Sequence, residues 1–149
     1  MKVKAIVEIP MGSAYKYEIS KLTGGLHIDR VLNQKLPENY GFIQNTSADD
    51  GCAIGVFILS TEPIPPLTRV EVEIYGIIKC KDNGIQDDKI LACLVGDLGS
   101  KFPKQRDILV ELYLKTYKPG FVVERKGTLE EAEASCLLGA KAFTVWWDK

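Results

Sequence analysis

Alternating apolar and polar residues predict that the chain begins as a series of β-strands. Residues 2–9 alternate between apolar and mainly charged positions, and residues 70–75 repeat the pattern in the clearest strand signal of the chain. That second strand is predicted to continue toward Cys80, and residues 81–88 are predicted to form a polar turn. Shorter strand-like runs cover residues 15–19, residues 26–32, a stretch beginning at Tyr40, residues 56–59 and residues 90–95.

The last third of the chain changes to helical spacing. A helix is predicted from Pro103, with Ile108, Leu109, Leu112 and Thr116 repeating at helical intervals, and Pro119-Gly120 ends it. Thr128 followed by Glu131 is a capping-box pattern that opens a second helix. The apolar stripe predicted for that helix consists of Ala132, Cys136, Ala140 and Phe143. Many strands followed by two helices indicate one α+β domain over residues 1–149, a small barrel with both C-terminal helices packed outside.

Composition narrows the functional classes. The 149 residues are 46% hydrophobic and 26% charged, as in ordinary globular proteins. A net charge of −1 gives no general electrostatic attraction to nucleic acid or to an anionic membrane. The four cysteines form no CxxC pair, which argues against a zinc site or a disulfide framework. No apolar run is long enough to span a bilayer, and no secretory signal is evident. We therefore expect a cytoplasmic protein without nucleic-acid or membrane partners.

Acidic and basic residues recur together at the ends of the apolar runs. The acids are Glu8, Glu18, Asp50, Asp82 and Asp87, and the cations are Lys16, Arg30, Lys89 and Lys118. A single pair of this kind is commonly a solvated ion pair worth ~0–1 kcal/mol. Several such pairs gathered in one place would suit a polyphosphate held by Lys and Arg while carboxylates hold its Mg²⁺. Local sequence alone leaves both interpretations open.

Seven ordered motifs resemble one known family. They are VEIP at 7–10, KYEI at 16–19, DR at 29–30, NYGFI at 39–43, ADDG at 48–51, the Asp82-x4-Asp87-x-Lys89 run, and YK at 117–118. Their order and spacing resemble the soluble family I inorganic pyrophosphatases. The resemblance implies a five-stranded OB-like barrel, Mg²⁺-dependent hydrolysis of pyrophosphate, and a homo-oligomer, usually a hexamer for chains of this length.

The resemblance also implies a role for individual residues. The phosphate-contacting groups would be Lys16, Arg30, Lys89, Tyr117 and Lys118. The metal ligands would be Asp50, Asp82, Asp87 and Glu18, and Glu8 would be a further acid of the active site. Tyr40 would lie beside the nucleophile and the metals, and with Asp50 it would belong to the catalytic group.

Two departures from the family pattern weaken the expected chemistry. The family loop reads Asp-x-Asp-Pro-x-Asp, whereas residues 50–55 read Asp-Gly-Cys-Ala-Ile-Gly. Cys52 therefore stands at the position of a general-base aspartate, and Gly55 at that of an aspartate that bridges two metals. A general base is worth roughly 10²–10⁴-fold in rate, and a soft thiolate binds Mg²⁺ poorly. We expect Cys52 to be a buried or partly buried thiol. Two smaller departures are Leu36 in place of a usual tyrosine and Asn83 in place of a common glutamate.

Three functions are compatible with this pattern. The first is a homologue that binds Mg-pyrophosphate or another phosphorylated small molecule, has fewer metal sites, and hydrolyses its ligand weakly or not at all. The second is an active diphosphatase with altered metal use, for example Mn²⁺ or Co²⁺. The third is a non-catalytic structural or regulatory subunit. If the first function is correct, the double substitution Cys52→Asp/Gly55→Asp is expected to restore hydrolysis, provided that the other site residues are correctly placed.

Overall fold

The computed structural model describes residues 1–20, 22–97 and 103–147. Within these ranges the secondary-structure elements are, in chain order, β1 (Lys2–Ile9), β2 (Tyr15–Ile19), β3 (Leu26–Val31), β4 (Asn39–Ile43), β5 (Gly55–Leu59), β6 (Arg69–Asp82), β7 (Ile85–Gln86), β8 (Lys89–Leu94), α1 (Pro103–Lys115), β9 (Phe121–Gly127) and α2 (Leu129–Trp147). Neither helix, within the described residues, is long and apolar enough to cross a membrane.

Five of the strands close into a barrel. They hydrogen-bond in the order β1, β4, β5, β8 and β6, and β6 pairs again with β1. The β5–β8 pair is parallel, and the other four pairs are antiparallel. β7 and β9 each pair antiparallel with the C-terminal part of β6, while β2 and β3 form a separate hairpin. This architecture, together with α1 and α2, confirms the predicted α+β fold and its five-stranded OB-like barrel.

Two apolar clusters lie on opposite faces of the barrel wall. All five barrel strands contribute to the first cluster, which therefore fills the interior, and Ala132 and Cys136 of α2 join it. The second lies outside the wall, where Val110, Tyr113 and Leu114 of α1 pack against residues such as Phe57 and Leu91. Every residue of β5 is buried because each face of this strand meets one of the two clusters.

The apolar residues that predicted α1 do not form its buried face. The helix begins at Pro103 as expected. However, Ile108, Leu109 and Leu112 are 59%, 55% and 56% exposed. The face turned to the barrel carries Asp107, Val110, Tyr113 and Leu114.

The hydrogen bonds of buried Asp107 explain why this face of α1 is turned toward the barrel. Its carboxylate accepts hydrogen bonds from the Tyr75 hydroxyl at 2.5 Å and from the Lys126 ammonium at 2.7 Å. A carboxylate with two such partners can be buried without a large desolvation cost. The helix therefore turns a mixed apolar and acidic face inward and leaves apolar residues outside.

Two strands were missed in the sequence pattern. The predicted polar turn at 81–88 is wrong in part, because β6 reaches Asp82 and β7 pairs back with it. The tight turn is confined to Asn83 and Gly84, whose φ angles of 51° and 85° lie in the left-handed region that asparagine and glycine tolerate. β9 was not predicted, and it pairs with the outer half of β6.

The start of α2 confirms the predicted capping box. The Glu131 amide donates to the Thr128 hydroxyl oxygen at 3.1 Å, and the Thr128 amide donates to a Glu131 carboxylate oxygen at 3.1 Å. The predicted stripe is only partly right. Ala132 and Cys136 are buried, whereas Ala140 is exposed and Gly139 is buried in its place.

Candidate active site

Six of the predicted site residues line one small pocket. Its volume is about 70 Å³, and it lies between β2–β3, the barrel wall and the end of α1. The predicted residues that line it are Glu8, Lys16, Arg30, Tyr40, Lys89 and Tyr117. They come from five different strands and from the segment after α1, so the fold gathers residues that are far apart in sequence.

Lys89 is the most buried cation of the pocket. Its side chain is 10% exposed, and its ammonium donates to the Tyr40 hydroxyl at 2.7 Å and to the Asp87 carboxylate at 3.2 and 3.3 Å. Burial lowers the pKa of Lys89, but its contacts with Tyr40 and Asp87 outweigh burial and raise the pKa above its usual value. Burial raises the pKa of the Tyr40 phenol. At neutral pH the pocket therefore holds a charged ammonium beside a neutral phenol.

The other two cations of the pocket come from the β2–β3 hairpin. Lys16 lies 3.8 Å from Glu8 and 3.9 Å from Asp29. The Arg30 guanidinium donates to the Tyr117 hydroxyl at 3.3 Å. These are long or weak contacts, so both cations can turn toward an anion at little cost.

Glu8 is the acid that lines this pocket. Burial raises the pKa of its carboxyl above the usual range, although the nearby cations Lys16 and Lys89 act in the opposite direction. At a given pH, Glu8 is therefore protonated to a greater extent than an exposed glutamate.

A second ion pair was predicted to belong to the same site. Lys118 pairs with Asp82 at 2.8 Å and lies 5.7 Å from the centre of the Tyr117 ring. Tyr117 connects this pair to the pocket. The second carboxylate oxygen of Asp82, Oδ1, is buried and has no hydrogen-bond partner among the described residues.

Six predicted site positions are not among the described residues that line the pocket: Asp82, Asp87 and Lys118, whose contacts are given above, and Glu18, Asp50 and Cys52. Glu18 is exposed and pairs with His27 at 2.9 Å. Asp50 is exposed, and its carboxylate accepts a hydrogen bond from the Cys52 amide at 3.0 Å. Cys52 is also exposed, which corrects the expectation of a buried or partly buried thiol.

The sequence identified Tyr40 and Tyr117 but missed Phe57 and Tyr113, which complete the aromatic wall of the pocket. Tyr40 packs edge-to-face on Phe57 with ring centres 4.9 Å apart, and Phe57 in turn packs on Tyr113 at 6.4 Å. Tyr113 then contacts Tyr117 at 5.7 Å. Tyr113 lies one position after Leu112 on α1, so a correct assignment of the buried helix face would have found it.

The acidic residues do not form a preorganised metal site. No three His, Cys, Asp or Glu side chains of the described residues converge closely enough to hold an ion. Mg²⁺ commonly binds through one or two carboxylates together with substrate phosphates. Asp82, with its unpartnered buried oxygen, and Asp87, at the edge of the pocket, fit that kind of shared site.

Comparison with known proteins gives a consistent assignment. The inorganic pyrophosphatase family profile matches residues 5–124. The inorganic pyrophosphatase of Mycoplasma genitalium is 38% identical over 125 residues, which are 78% of this chain and 68% of that protein. The one from Halalkalibacterium halodurans is 32% identical over 95% of this chain and 93% of its own length. The crystal structure of an inorganic pyrophosphatase from Neisseria gonorrhoeae superposes with a TM-score of 0.85 at 26% identity, covering 96% of this chain and 91% of that one.

Other curated relatives are longer than the segment they share with this chain. The match spans 65% of soluble inorganic pyrophosphatase 2 of Chlamydomonas reinhardtii and 54% of the Campylobacter jejuni inorganic pyrophosphatase. The profile match nevertheless covers residues 5–124, and the structural match covers 96% of this chain. The chain belongs to the family I inorganic pyrophosphatases.

Proposed function

We propose that this protein binds Mg-pyrophosphate, or a related phosphorylated small molecule, and hydrolyses it weakly or not at all. The observation that carries the proposal is the convergence of Lys16, Arg30 and Lys89 on one small pocket. Three cations facing the same space suit a multiply charged anion, because charge-assisted hydrogen bonds to phosphate are stronger than neutral ones.

Each cation has a distinct part in holding the ligand. Lys89 is fixed by Tyr40 and Asp87 and offers a rigid charge at the inner end of the pocket. Arg30 presents a planar guanidinium that can bind two phosphate oxygens at once. Tyr117 and Lys118 lie beside it and would bind the outer phosphate.

Mg²⁺, when bound with the ligand, would neutralise phosphate charge, with Asp82 and Asp87 as the protein ligands. Asp50 and Glu18 are proposed as ligands only by family resemblance. Since Cys52 and Gly55 provide no carboxylate, the number of metal sites is proposed to be reduced.

The weak hydrolysis in this proposal follows from the groups available to a nucleophilic water. Glu8 is the one carboxylate among the described lining residues, and its raised pKa is compatible with a general base, so the proposed loss of rate rests on the loop at residues 50–55. Tyr40 is neutral, and its hydroxyl oxygen already accepts a hydrogen bond from Lys89. With cysteine and glycine at 52 and 55, Asp50 is the only carboxylate that residues 50–55 supply.

Calorimetric titration tests the binding proposal. We expect saturable heat when Mg²⁺ and pyrophosphate are added to the wild-type protein. The variant Arg30→Ala/Lys89→Ala should bind at least about tenfold more weakly, because a hydrogen bond to a charged group contributes ~1.5–3 kcal/mol.

The matched control removes two exposed cations outside the pocket. Lys4→Ala/Lys81→Ala changes the net charge equally and should leave the affinity unchanged. The absence of heat at millimolar ligand with the wild-type protein would refute the binding proposal. Equal affinity loss in both double variants would mean that overall charge, and not this pocket, attracts the ligand.

A second candidate is an active diphosphatase that uses a softer metal. The exposure of Cys52 favours it, since an accessible thiolate can bind Mn²⁺ or Co²⁺ better than Mg²⁺. A phosphate-release assay with each metal distinguishes the two candidates. Turnover with Mn²⁺ or Co²⁺ that is lost in Cys52→Ser would support the second.

Assembly and location are part of the same proposal. We infer a homo-oligomer, a hexamer by family analogy, and the exposed apolar residues of α1 support association. We also infer a cytoplasmic location for a protein whose four cysteines are all free.

A further inference from the structure

Gly55 faces the most tightly held pair of groups in the pocket. It is the first residue of β5, where it pairs with Phe42 on one side and with Lys89 on the other. A Cβ atom built on Gly55 would overlap the Tyr40 hydroxyl oxygen. It would also lie 3.0 Å from the ring carbon that carries this hydroxyl and 3.3 Å from the Lys89 nitrogen.

The overlap cannot be relieved without loss of a contact. The backbone of Gly55 is held between two strands of the closed barrel, so it cannot easily retreat. The Tyr40 ring packs on Phe57, which fixes the direction in which its hydroxyl points. A side chain at position 55 must therefore push the hydroxyl away from Lys89, to which it is bonded at 2.7 Å.

We propose that Gly55 is a positioning residue: its missing side chain provides the space in which the Tyr40 hydroxyl holds the Lys89 ammonium toward the pocket. The proposal deepens the proposed function, since Lys89 is there a phosphate-binding group. Position 55 thus contributes to ligand binding through Tyr40 and Lys89 and makes no contact of its own.

This inference reverses an expectation drawn from the sequence. Aspartate at 52 and 55 was expected to restore hydrolysis. The Cβ of an aspartate at 55 would already displace the Tyr40 hydroxyl, before its carboxylate is considered. We therefore expect Gly55→Asp to weaken ligand binding, with or without Cys52→Asp.

A double-mutant cycle between positions 55 and 40 tests the proposal. The variants are Gly55→Ala, Tyr40→Phe and the combination. Because Tyr40→Phe removes the overlapping oxygen, alanine at 55 should then do little further damage. We expect each single variant to bind Mg-pyrophosphate about tenfold more weakly, as for loss of one hydrogen bond to a charged group. The double variant should bind about as well as Tyr40→Phe alone.

A readout without ligand follows Lys89 itself. The rate at which Lys89 is reductively methylated, measured by mass spectrometry, reports whether its ammonium is still held in place. We expect slow methylation in the wild type, where Lys89 is 8% exposed, and faster methylation in both single variants. Melting temperatures verify that each variant is folded.

Gly76→Ala is the matched control. Gly76 is also a buried strand glycine of the barrel, but its added Cβ would meet only the Leu91 side chain at 3.4 Å or more, an ordinary contact. We expect wild-type affinity and wild-type Lys89 methylation for this variant.

Two results would overturn the inference. One is a folded Gly55→Ala variant with wild-type Lys89 methylation. The other is full additivity of the two substitutions in both readouts. If the wild type binds no pyrophosphate but the methylation cycle is non-additive, the proposed function fails while the positioning role of Gly55 stands.

Discussion

Glu8 and Lys89 line the same pocket, but their surroundings favour the charged form of Lys89 and the neutral form of Glu8. Lys89 gains a phenol and a carboxylate as partners, and these keep it charged despite burial. Glu8 lies 3.8 Å from the Lys16 ammonium, too far for a good hydrogen bond. Burial therefore outweighs the attraction of Lys16, Lys89 and Arg30 and raises the pKa of the Glu8 carboxyl. The pocket thus has a positive balance, as an anion-binding site requires.

The raised pKa of Glu8 predicts a pH-dependent effect on stability. A carboxyl whose pKa is higher in the folded state stabilises the fold below its unfolded pKa of 4.5, and this contribution is lost as pH rises through the folded value. Glu8→Gln, which carries no charge, should therefore raise the melting temperature at pH 7 relative to wild type. Below about pH 4 the difference should vanish, since both side chains are then neutral.

Thermal unfolding across this pH range checks the prediction. Glu62→Gln, at an exposed glutamate, is a suitable control and should not show this pH-dependent difference in melting temperature. A Glu8→Gln variant that is less stable than wild type at pH 7 would show that the Lys16 contact outweighs burial.

The capping box at the start of α2 is a local device with a global effect. Thr128 and Glu131 exchange two hydrogen bonds, and Arg125 at the end of β9 donates two more to Glu131 at 2.9 and 2.6 Å. The Arg125 hydrogen bonds, together with the Thr128 amide, lower the pKa of Glu131 to about 2. This junction fixes the direction in which α2 leaves β9 and so brings Ala132 and Cys136 to the interior cluster.

Removal of the cap should destabilise the protein measurably. We expect Thr128→Ala to lower the free energy of unfolding by about 1 kcal/mol, within the usual range of 0.5–2 for an N-cap threonine. Thr128→Ser keeps the hydroxyl and should behave like the wild type. Urea denaturation measures both, and a Thr128→Ala variant with an unchanged midpoint would mean that packing alone holds the start of α2.

The exposed face of α1 belongs to the scale of the whole molecule. Leu109 and Leu112 lie together beside Gln34, Lys35 and Pro37 in an open groove. If this face forms a contact between copies of the protein, Leu109→Glu/Leu112→Glu should dissociate the oligomer into monomers of 16.6 kDa. Analytical ultracentrifugation measures this directly, and a monomeric wild type would refute the assembly proposal.

The fold was largely predictable because strand periodicity and helix boundaries are local signals. Residues 2–9 and the capping box at Thr128 were located correctly. β9 was missed because only Phe121 of its residues is fully buried, so it has no alternating pattern. The buried face of α1 could not be predicted, because Asp107 is buried through its partners Tyr75 and Lys126, and no local signal reveals such distant contacts.

The sequence motifs named six of the residues that line the pocket but could not give their geometry. Motif order brought together Lys16, Arg30 and Lys89, which the fold places around one pocket. The sequence could not show that Gly55 accommodates the Tyr40 hydroxyl, because the two residues meet only through the register of β4 and β5. A glycine that looked like the loss of a ligand is also a steric requirement.

Orthophosphate release by the unmodified protein tests the central claim most directly. The assay uses Mg²⁺ and pyrophosphate at concentrations that calorimetry shows to be saturating, with an active inorganic pyrophosphatase measured in parallel. The account predicts a bound ligand that is released largely intact, at a rate close to the enzyme-free background. Magnesium-supported turnover faster than about 1 s⁻¹, the lower end of ordinary enzyme rates, would contradict it.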